Sequence, residues 1–158
     1  NITMENIVAE AIFLNMFYDS KNVVRPTTAN PPIFRNFFFK NITCSQANSA
    51  IVALGSEDSF IKNLSFENID MRAENGISLY NVEEAVFHDL RVKATFRPLM
   101  TLNNLRHARF DTTLPPAARS LIMIEGSQSE DIHFSKEYRT TTIRTGARAP
   151  RAALIREQ

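Results

Sequence analysis

The sequence predicts an all-β fold, namely a right-handed single-stranded parallel β-helix of about five to six coils of roughly 22 to 27 residues each. Three observations predict this solenoid: a repeat of twenty-odd residues, apolar and polar residues that alternate along each repeat, and the lack of any stretch with helical periodicity. A β unit of this length cannot bury its apolar face alone. The units must therefore stack on one another.

The first repeat series is anchored on phenylalanine. With Phe66 in LSFENI as the reference, the same slot recurs in FFFKNI, AVFHDL, ARFDTT and IHFSKE, and a methionine occupies it in ITMENI. The series predicts one inward stack at intervals of 35, 27, 21, 23 and 24 residues, made of Met4, Phe39, Phe66, Phe87, Phe110 and Phe134. The first interval is the longest because it contains the segment YDSKNVVRPTTANPPIF.

A second, aliphatic series lies between these anchors. Its members are separated by 39, 26, 23 and 22 residues and are Ile12, Ile51, Ile77, Met100 and Ile122. The two series drift together, which indicates a true repeat. Runs such as SLIMIEG are rich in β-branched residues, so each repeat unit is predicted to contain two short strands.

A recurrent asparagine precedes an apolar residue in several repeats. Asn6, Asn41 and Asn68 are assigned to one slot of successive coils, with Asp89 in the fourth. Asparagine tolerates the left-handed backbone of a sharp corner, and stacked amides can hydrogen-bond from coil to coil. The Asn-x-Ser/Thr triplets that begin at Asn1, Asn41 and Asn63 are better explained by this repeat than by glycosylation.

The repeat divides the chain into two parts. Residues 1–138 are expected to form the coils, with a Pro-rich loop at 19–35, and residues 139–158 a C-terminal tail or cap. Loops on solenoids usually gather on one face and carry the binding function. The second part is short and mixed, so a cap is favoured over a nucleic-acid-binding arm despite Arg139, Arg144, Arg148, Arg151 and Arg156.

Composition excludes several classes of protein. Lys plus Arg is 18 against 17 for Asp plus Glu, so no basic surplus indicates a nucleic-acid or membrane-surface partner. A single cysteine, Cys44, excludes an intrachain disulfide and a Cys-based zinc site, and it is best explained as a core residue. No apolar run reaches the roughly 18 residues of a membrane span, and NITMENIVAE is not a signal peptide. Any export signal is expected to be removed or to lie upstream.

Titratable residues suggest two weaker hypotheses. Acidic doublets at 57–58, 83–84 and 130–131 each follow an inner strand, so stacked acids could form a two-carboxylate cleft or a calcium site. Ordinary solvated turns are the favoured explanation because the Gly-Asp periodicity of calcium-binding solenoids is missing. None of the three histidines, His88, His107 and His133, is spaced for a metal or paired with a nucleophile.

Several phrases of the sequence resemble a known family. NITMENI, AEAIFLNMFYD, PIFRNFFFKNITCSQANSAIVALG and IKNLSFENIDM resemble the C-terminal coils of family 28 glycoside hydrolases, the polygalacturonases, most closely their exo-acting bacterial members. The likeness covers roughly residues 1–135. It implies a secreted or periplasmic enzyme without cofactors that hydrolyses the α-1,4 bonds of galacturonan in pectin with inversion.

The resemblance also suggests substrate-binding residues. Residues 11–18 fit a family segment that ends in a cleft-lining tyrosine, which implies that Tyr18 contacts a sugar ring; a strand-end residue covering the coil is the alternative. Lys21 and Arg25 on the following loop are suited to uronate carboxylates, although solvated loop charges are equally consistent with the sequence.

The family's catalytic phrases are missing from this chain. NTD, DD, GHG and RIK do not occur, and in family order all four precede the segment seen here. The chain is thus expected to be a C-terminal part that supplies one wall of the cleft, holds no catalytic residue and is inactive alone. The alternatives are a silent β-helix that binds acidic polysaccharide and a purely structural solenoid, as in adhesins and tailspikes.

A solenoid that begins at Asn1 would expose an apolar cross-section and unpaired strand edges. The expected partners are therefore upstream β-helix coils or a second copy that packs end-on, besides galacturonan itself. No nucleic acid and no membrane is expected.

Overall fold

The computed structural model describes residues 1–17, 31–112 and 120–157. These residues form a parallel β-solenoid of about five turns, which confirms the predicted fold class. All strand pairs among the described residues are parallel. The strands are β1 (Ile2–Met4), β2 (Glu10–Asn15), β3 (Arg35–Leu54), β4 (Ile61–Ala94), β5 (Met100–Asp111), β6 (Leu121–Glu125), β7 (Glu130–Phe134), β8 (Thr142–Thr145) and β9 (Leu154–Arg156), with short 3-10 helices at Lys136–Thr140 and Arg151–Ala153.

Left-handed residues allow the long strands to turn corners. β4 contains 34 residues and passes through more than one coil, which a straight strand could not do. Its corners lie at non-glycine residues with φ between 51° and 59°, namely Asn63, Asn68, Asn81, Glu84 and Asp89. Asn and Asp tolerate this backbone better than other residues, so the polar corner positions are a conformational requirement.

The aromatic stack is confirmed from Phe39 to Phe134. Successive ring centroids lie 4.9, 4.8, 4.6 and 4.7 Å apart, with nearly parallel planes, along Phe39, Phe66, Phe87, Phe110 and Phe134. This distance equals the spacing of paired strands, so each ring lies directly on the ring of the preceding coil. The last four rings are fully buried.

Two sequence assignments in the first coil are wrong. Met4 is in register with Cys44, not with Phe39, because β1 aligns Ile2 with Ile42. The stack therefore begins at Phe39. Asn6 has the left-handed backbone expected of a corner, but it does not lie over Asn41. The amide of the next residue, Ile7, donates to the carbonyl of Gln46, five residues beyond Asn41.

The aliphatic ladder is confirmed and is longer than predicted. Ile12, Ile51, Ile77, Met100 and Ile122 pair in register as predicted, and Ile143 of β8 adds a further member. β9 likewise pairs with β7. The segment 139–158 thus carries the last strands of both ladders, although its sequence repeat is no longer visible.

Side-chain amides form hydrogen-bonded ladders along the corners. Asn68 donates to Asn41 at 2.8 Å, which confirms the structural role predicted for this pair. Asn63 donates to Asn36 and Asn104 to Asn81, both at 2.8 Å. Cys44 is buried and free, as expected of a core residue.

Tyr138 closes the C-terminal end of the aromatic stack. Its ring meets Phe134 and Phe110 edge-on at centroid distances of 5.2 and 6.5 Å. The residue is buried, and desolvation, followed by the charge of Asp111, raises the pKa of its hydroxyl above the ordinary value. The 3-10 helix at Lys136–Thr140 places it there.

Candidate functional site

One side of the solenoid, which we name the loop edge, collects the connections that lead from the aliphatic ladder to the aromatic ladder. Leu54 and Glu125 end β3 and β6 at this edge. Tyr80 and Asn103, which are in the same register column, lie within β4 and β5 just before the left-handed corners at Asn81 and Asn104. The connection between Asn15 and Arg35 leaves and rejoins the coil at the same edge. The segments at this edge are residues 16–17, 31–34, 55–60, 126–129 and 146–153, together with the left-handed corners 81–84 within β4 and 104–107 within β5.

The substrate-binding residues predicted from the sequence lie outside the described residues. Tyr18, Lys21 and Arg25 all fall in the segment 18–30. Their assignment to a sugar cleft stays a prediction. The strand that precedes them, β2, ends at the loop edge, where its last residue, Asn15, pairs with Leu54.

A polar cleft of about 420 Å³ opens on the loop edge near the C-terminal coils. Its lining combines carboxylates, side-chain amides, a hydroxyl and a guanidinium group with backbone that carries little or no side chain. The lining residues are Glu57, Asn103, Asn104, Glu125, Gly126, Ser127, Gly146, Ala147 and Arg148. Such a surface offers both donors and acceptors to a ligand that is rich in hydroxyl groups.

Asn103 and Glu125 in the wall of this cleft belong to a column of outward-facing residues that runs from coil to coil. Tyr80 is in register with Leu54 and Asn103, and Asn103 with Glu125, so a new side chain follows at each strand spacing of about 4.8 Å. Tyr80 is half-buried. Desolvation, followed by the nearby charge of Glu125, raises the pKa of its hydroxyl, which therefore remains a hydrogen-bond donor at neutral pH.

The floor of the cleft is held rigidly. Asn104 donates from Nδ2 to Asn81 Oδ1 at 2.8 Å, and its Oδ1 accepts from the amide of Gln128 at 3.1 Å. Gly126 adopts φ +84°, and a Cβ at this position would collide with the side-chain oxygen atoms of Asn104 and Asn103. Glycine is therefore required where the backbone passes over the two amides.

Two of the acidic doublets do not form a carboxylate site. Glu83 and Glu130 are both in register with Arg106, which lies between them, and His107 follows Arg106 in the same turn. Acid and base thus alternate from coil to coil. Glu83 also pairs with Lys62 at 2.8 Å. Among the residues described, no group of three or more His, Cys, Asp or Glu side chains could hold a metal ion.

His107 and His133 share the carboxylate of Asp131. His107 Nδ1 lies 3.0 Å from Asp131 Oδ2, and His133 Nε2 lies 2.7 Å from Asp131 Oδ1. The hydrogen bond to Asp131 raises the pKa of His107 above the ordinary 6.5, with a smaller contribution from the charge of Glu130. The hydrogen bonds from His107 and His133 lower the pKa of Asp131 below the ordinary 3.8.

These directions predict how stability depends on pH. Stability from His107 is fully present below pH 6.5 and is lost as pH rises through its raised pKa, whereas stability from Asp131 is present above pH 3.8 and is lost as pH falls through its lowered pKa. We expect Asp131→Asn to destabilise most between these values, by less than about 1 kcal/mol because the groups are exposed. Urea unfolding across a pH series measures this difference.

Asp70→Asn is the matched control for the alkaline limb. Asp70 faces Arg91 at 4.0 Å, and arginine keeps its charge at high pH. We expect the effect of Asp70→Asn to persist above pH 7 while that of Asp131→Asn shrinks. An Asp131→Asn effect of constant size from pH 4 to pH 9 would contradict the assignment.

The repeats found in the sequence did not identify this column of outward residues. Each member lies three positions after an anchor of the aliphatic ladder, so its sequence signal is this fixed spacing; the members are Asn15, Leu54, Tyr80, Asn103 and Glu125. The residue types differ, and a search for one recurrent residue does not find them. Arg148 was assigned to the tail, yet it lines the same cleft.

Comparison with known proteins does not assign this chain to a family. No helix in the described part of the chain is long and apolar enough to cross a membrane. Comparisons with protein-family models, with curated proteins and with solved structures found no match to this chain.

Proposed function

We propose that this chain is the C-terminal β-helix portion of a polygalacturonase-like glycoside hydrolase acting on pectin, and that it supplies one wall of the substrate cleft without a catalytic aspartate. The observation that supports the proposal is the polar cleft on the loop edge, the edge at which β2 ends with Asn15 paired to Leu54. A secreted or periplasmic location belongs to the same proposal.

The cleft offers donors and acceptors to a hydroxyl-rich saccharide, and its guanidinium group, beside the carboxylates of Glu57 and Glu125, offers a partner for a uronate. Asn103 and Ser127 can exchange hydrogen bonds with sugar hydroxyls, and Glu125 can accept them. Arg148, exposed at the mouth of the cleft, can hold a uronate carboxylate through two parallel hydrogen bonds. Since the wall presents a new side chain at each coil, a saccharide lying along the solenoid axis would meet several of them in turn.

A non-catalytic module that binds acidic polysaccharide, or a structural β-helix of the adhesin or tailspike type, is the second candidate. It is supported by the alternation of Glu83, Arg106 and Glu130, in which each acid lies beside a base and not beside a second acid. The cleft would then bind without cleaving.

We expect oligogalacturonate to bind the chain saturably in isothermal titration calorimetry, and neutral galacto-oligosaccharide of equal length to bind more weakly. Arg148→Ala should weaken oligogalacturonate binding about tenfold or more, since it removes the charge-assisted hydrogen bonds of the guanidinium group. Arg72→Ala is the matched control, since Arg72 is exposed but lies next to Met71 on the way from the aromatic to the aliphatic ladder, away from the cleft.

Hydrolysis separates the two candidates. Release of reducing ends from polygalacturonate only when the preceding coding region is attached supports the hydrolase. Binding without cleavage in that longer protein supports the non-catalytic module. Cleavage by the 158-residue chain itself would overturn the claim that it lacks the catalytic centre. Equal binding by the Arg148→Ala and Arg72→Ala variants would remove the cleft from the proposal.

A further inference from the structure

The polar cleft on the loop edge carries charges of both signs that do not pair with one another. Glu57 and Glu125 bring two carboxylates to its lining, and Arg148 brings a guanidinium group. Within the described part of the chain, no ion pair joins any of these three side chains to another charged group. On the same edge Glu83, by contrast, pairs with Lys62 at 2.8 Å. The charges of the cleft are therefore available to a ligand.

The backbone fixes the order in which a ligand meets these charges. The amide of Gly146 donates to the carbonyl of Ile124 at 2.8 Å, so the turn that follows β8 lies against the end of β6 at Glu125. The amide of Ala149 donates to the carbonyl of Gly146 at 3.1 Å, which closes a tight turn that contains Arg148. Glu125 and Arg148 thus belong to adjacent coils, which are spaced by about 4.8 Å.

Charge is segregated along the loop edge. Residues 138–156 contain no Asp or Glu, and the exposed Arg144 and Arg151 stand on either side of Arg148 in the sequence. One coil earlier the charge is negative. Desolvation, followed by the charge of Glu125, raises the pKa of the Tyr80 hydroxyl, so the field of this carboxylate extends along the column of outward residues. A free carboxylate is therefore attracted at the last coil and repelled beside Glu125.

This order of charges discriminates between saccharides. A galacturonan with a free carboxylate on every sugar can place one of them on Arg148, but the next carboxylate then comes close to Glu125 and Glu57. A fully neutral saccharide avoids this repulsion, yet it leaves the guanidinium group of Arg148 without an anionic partner. A chain in which a free uronate is next to an uncharged sugar satisfies both parts of the cleft.

We propose that the cleft selects partly methyl-esterified galacturonan, in which a free uronate binds Arg148 and the neighbouring esterified sugar lies against Glu125 and Glu57. The inference rests on the proposed pectin-binding function and adds to it the charge pattern of the ligand. Esterification removes the charge of the carboxylate but keeps its carbonyl oxygen and the sugar hydroxyls. The side-chain amide of Asn103 in the cleft wall can donate to these oxygen atoms.

Three oligogalacturonates of equal length test the proposal in isothermal titration calorimetry: the free acid, the alternately methyl-esterified form and the fully esterified form. We expect the alternate ester to bind about two- to fivefold more tightly than the free acid, the effect of one or two exposed like-charge contacts. It should bind about tenfold more tightly than the full ester, which offers Arg148 no carboxylate. Added salt should narrow the difference between the alternate ester and the free acid, because screening weakens the repulsion.

Charge-neutralising variants identify the groups responsible. Glu125→Gln keeps the shape of the side chain and should raise affinity for the free acid about two- to fivefold, with little change for the alternate ester. Glu57→Gln is an independent second variant with the same expected direction. Glu74→Gln is the matched control, since Glu74 is exposed on the way from the aromatic to the aliphatic ladder, away from the cleft. Arg148→Ala should remove the advantage of the alternate ester over the full ester.

The outcomes separate this inference from the proposed function. If the free acid binds as tightly as the alternate ester, and Glu125→Gln acts no more strongly than Glu74→Gln, the selection is overturned while pectin binding stands. Equal gains for all three ligands in Glu125→Gln would also overturn it, because a change of charge should favour the free acid alone. If none of the three ligands binds, both the proposed function and the inference are wrong.

Discussion

Replacement of Phe87 by alanine is expected to cost about 3 to 5 kcal/mol of unfolding free energy. Phe87 is the middle ring of the aromatic stack, is fully buried, and lies 4.8 and 4.6 Å from the rings of Phe66 and Phe110. Its removal leaves a cavity that neither neighbour can fill, because both are fixed by the strand spacing. Denaturant unfolding measures the loss.

Val86→Ala is the matched control for this prediction. Val86 precedes Phe87 on the same strand, but its side chain is outward and 45% exposed. We expect a change within about 0.5 kcal/mol, as for other exposed positions. Equal losses at the two positions would show that the stack does not carry the stability assigned to it.

Gly76→Ala is the second substitution with a large expected effect, about 3 kcal/mol or more. A Cβ at Gly76 would collide with the carbonyl oxygen of Leu99 and lie 2.9 Å from its carbonyl carbon, both in the backbone of the next coil. The same carbonyl accepts the hydrogen bond from the amide of Ile77 at 2.9 Å, so it cannot withdraw without breaking the ladder. Thermal and denaturant unfolding both measure the cost.

Gly146→Ala provides the comparison at a glycine with room. The nearest atoms to its Cβ would be Glu125 Cγ at 3.4 Å and the Ile124 carbonyl oxygen at 3.6 Å. We expect this variant to match the parent or to gain up to about 1 kcal/mol, because alanine restricts the unfolded chain. A loss at Gly146 as large as that at Gly76 would exclude the close backbone approach as the cause.

Most of the fold was predictable because the phenylalanine series and the aliphatic series recur independently at nearly the same intervals. Phe87 and Ile77 each have a residue of similar type one coil away in the sequence. Any residue that points into the core of stacked coils must repeat in this way, because its neighbour above or below fills the same space. The assignment of Met4 failed because the likeness of ITMENI to LSFENI was used to choose its slot. The register of β1 is set by Ile2 over Ile42, which repeats the triplet Asn-Ile-Thr and not the residues around Met4.

The cleft was less predictable than the coils. Inward positions repeat in chemical type, because each must fill the same core, whereas outward positions such as Tyr80, Asn103 and Glu125 share only their spacing. The acidic doublets agree with the favoured explanation, ordinary turns, and not with a carboxylate site. Glu83 and Glu130 do share a column, but Arg106 stands between them at the interval of one coil, and its charge decides what the column can do.

The cap of Tyr138 over Phe134 protects the C-terminal end of the aromatic stack. Every coil of a solenoid gains its stability from the coils next to it, so an uncovered terminal coil opens most easily. Phe134 is enclosed between the ring of Phe110 on one side and the edge-on ring of Tyr138 on the other. Local opening at Phe134 therefore requires the 3-10 helix at Lys136–Thr140 to detach first.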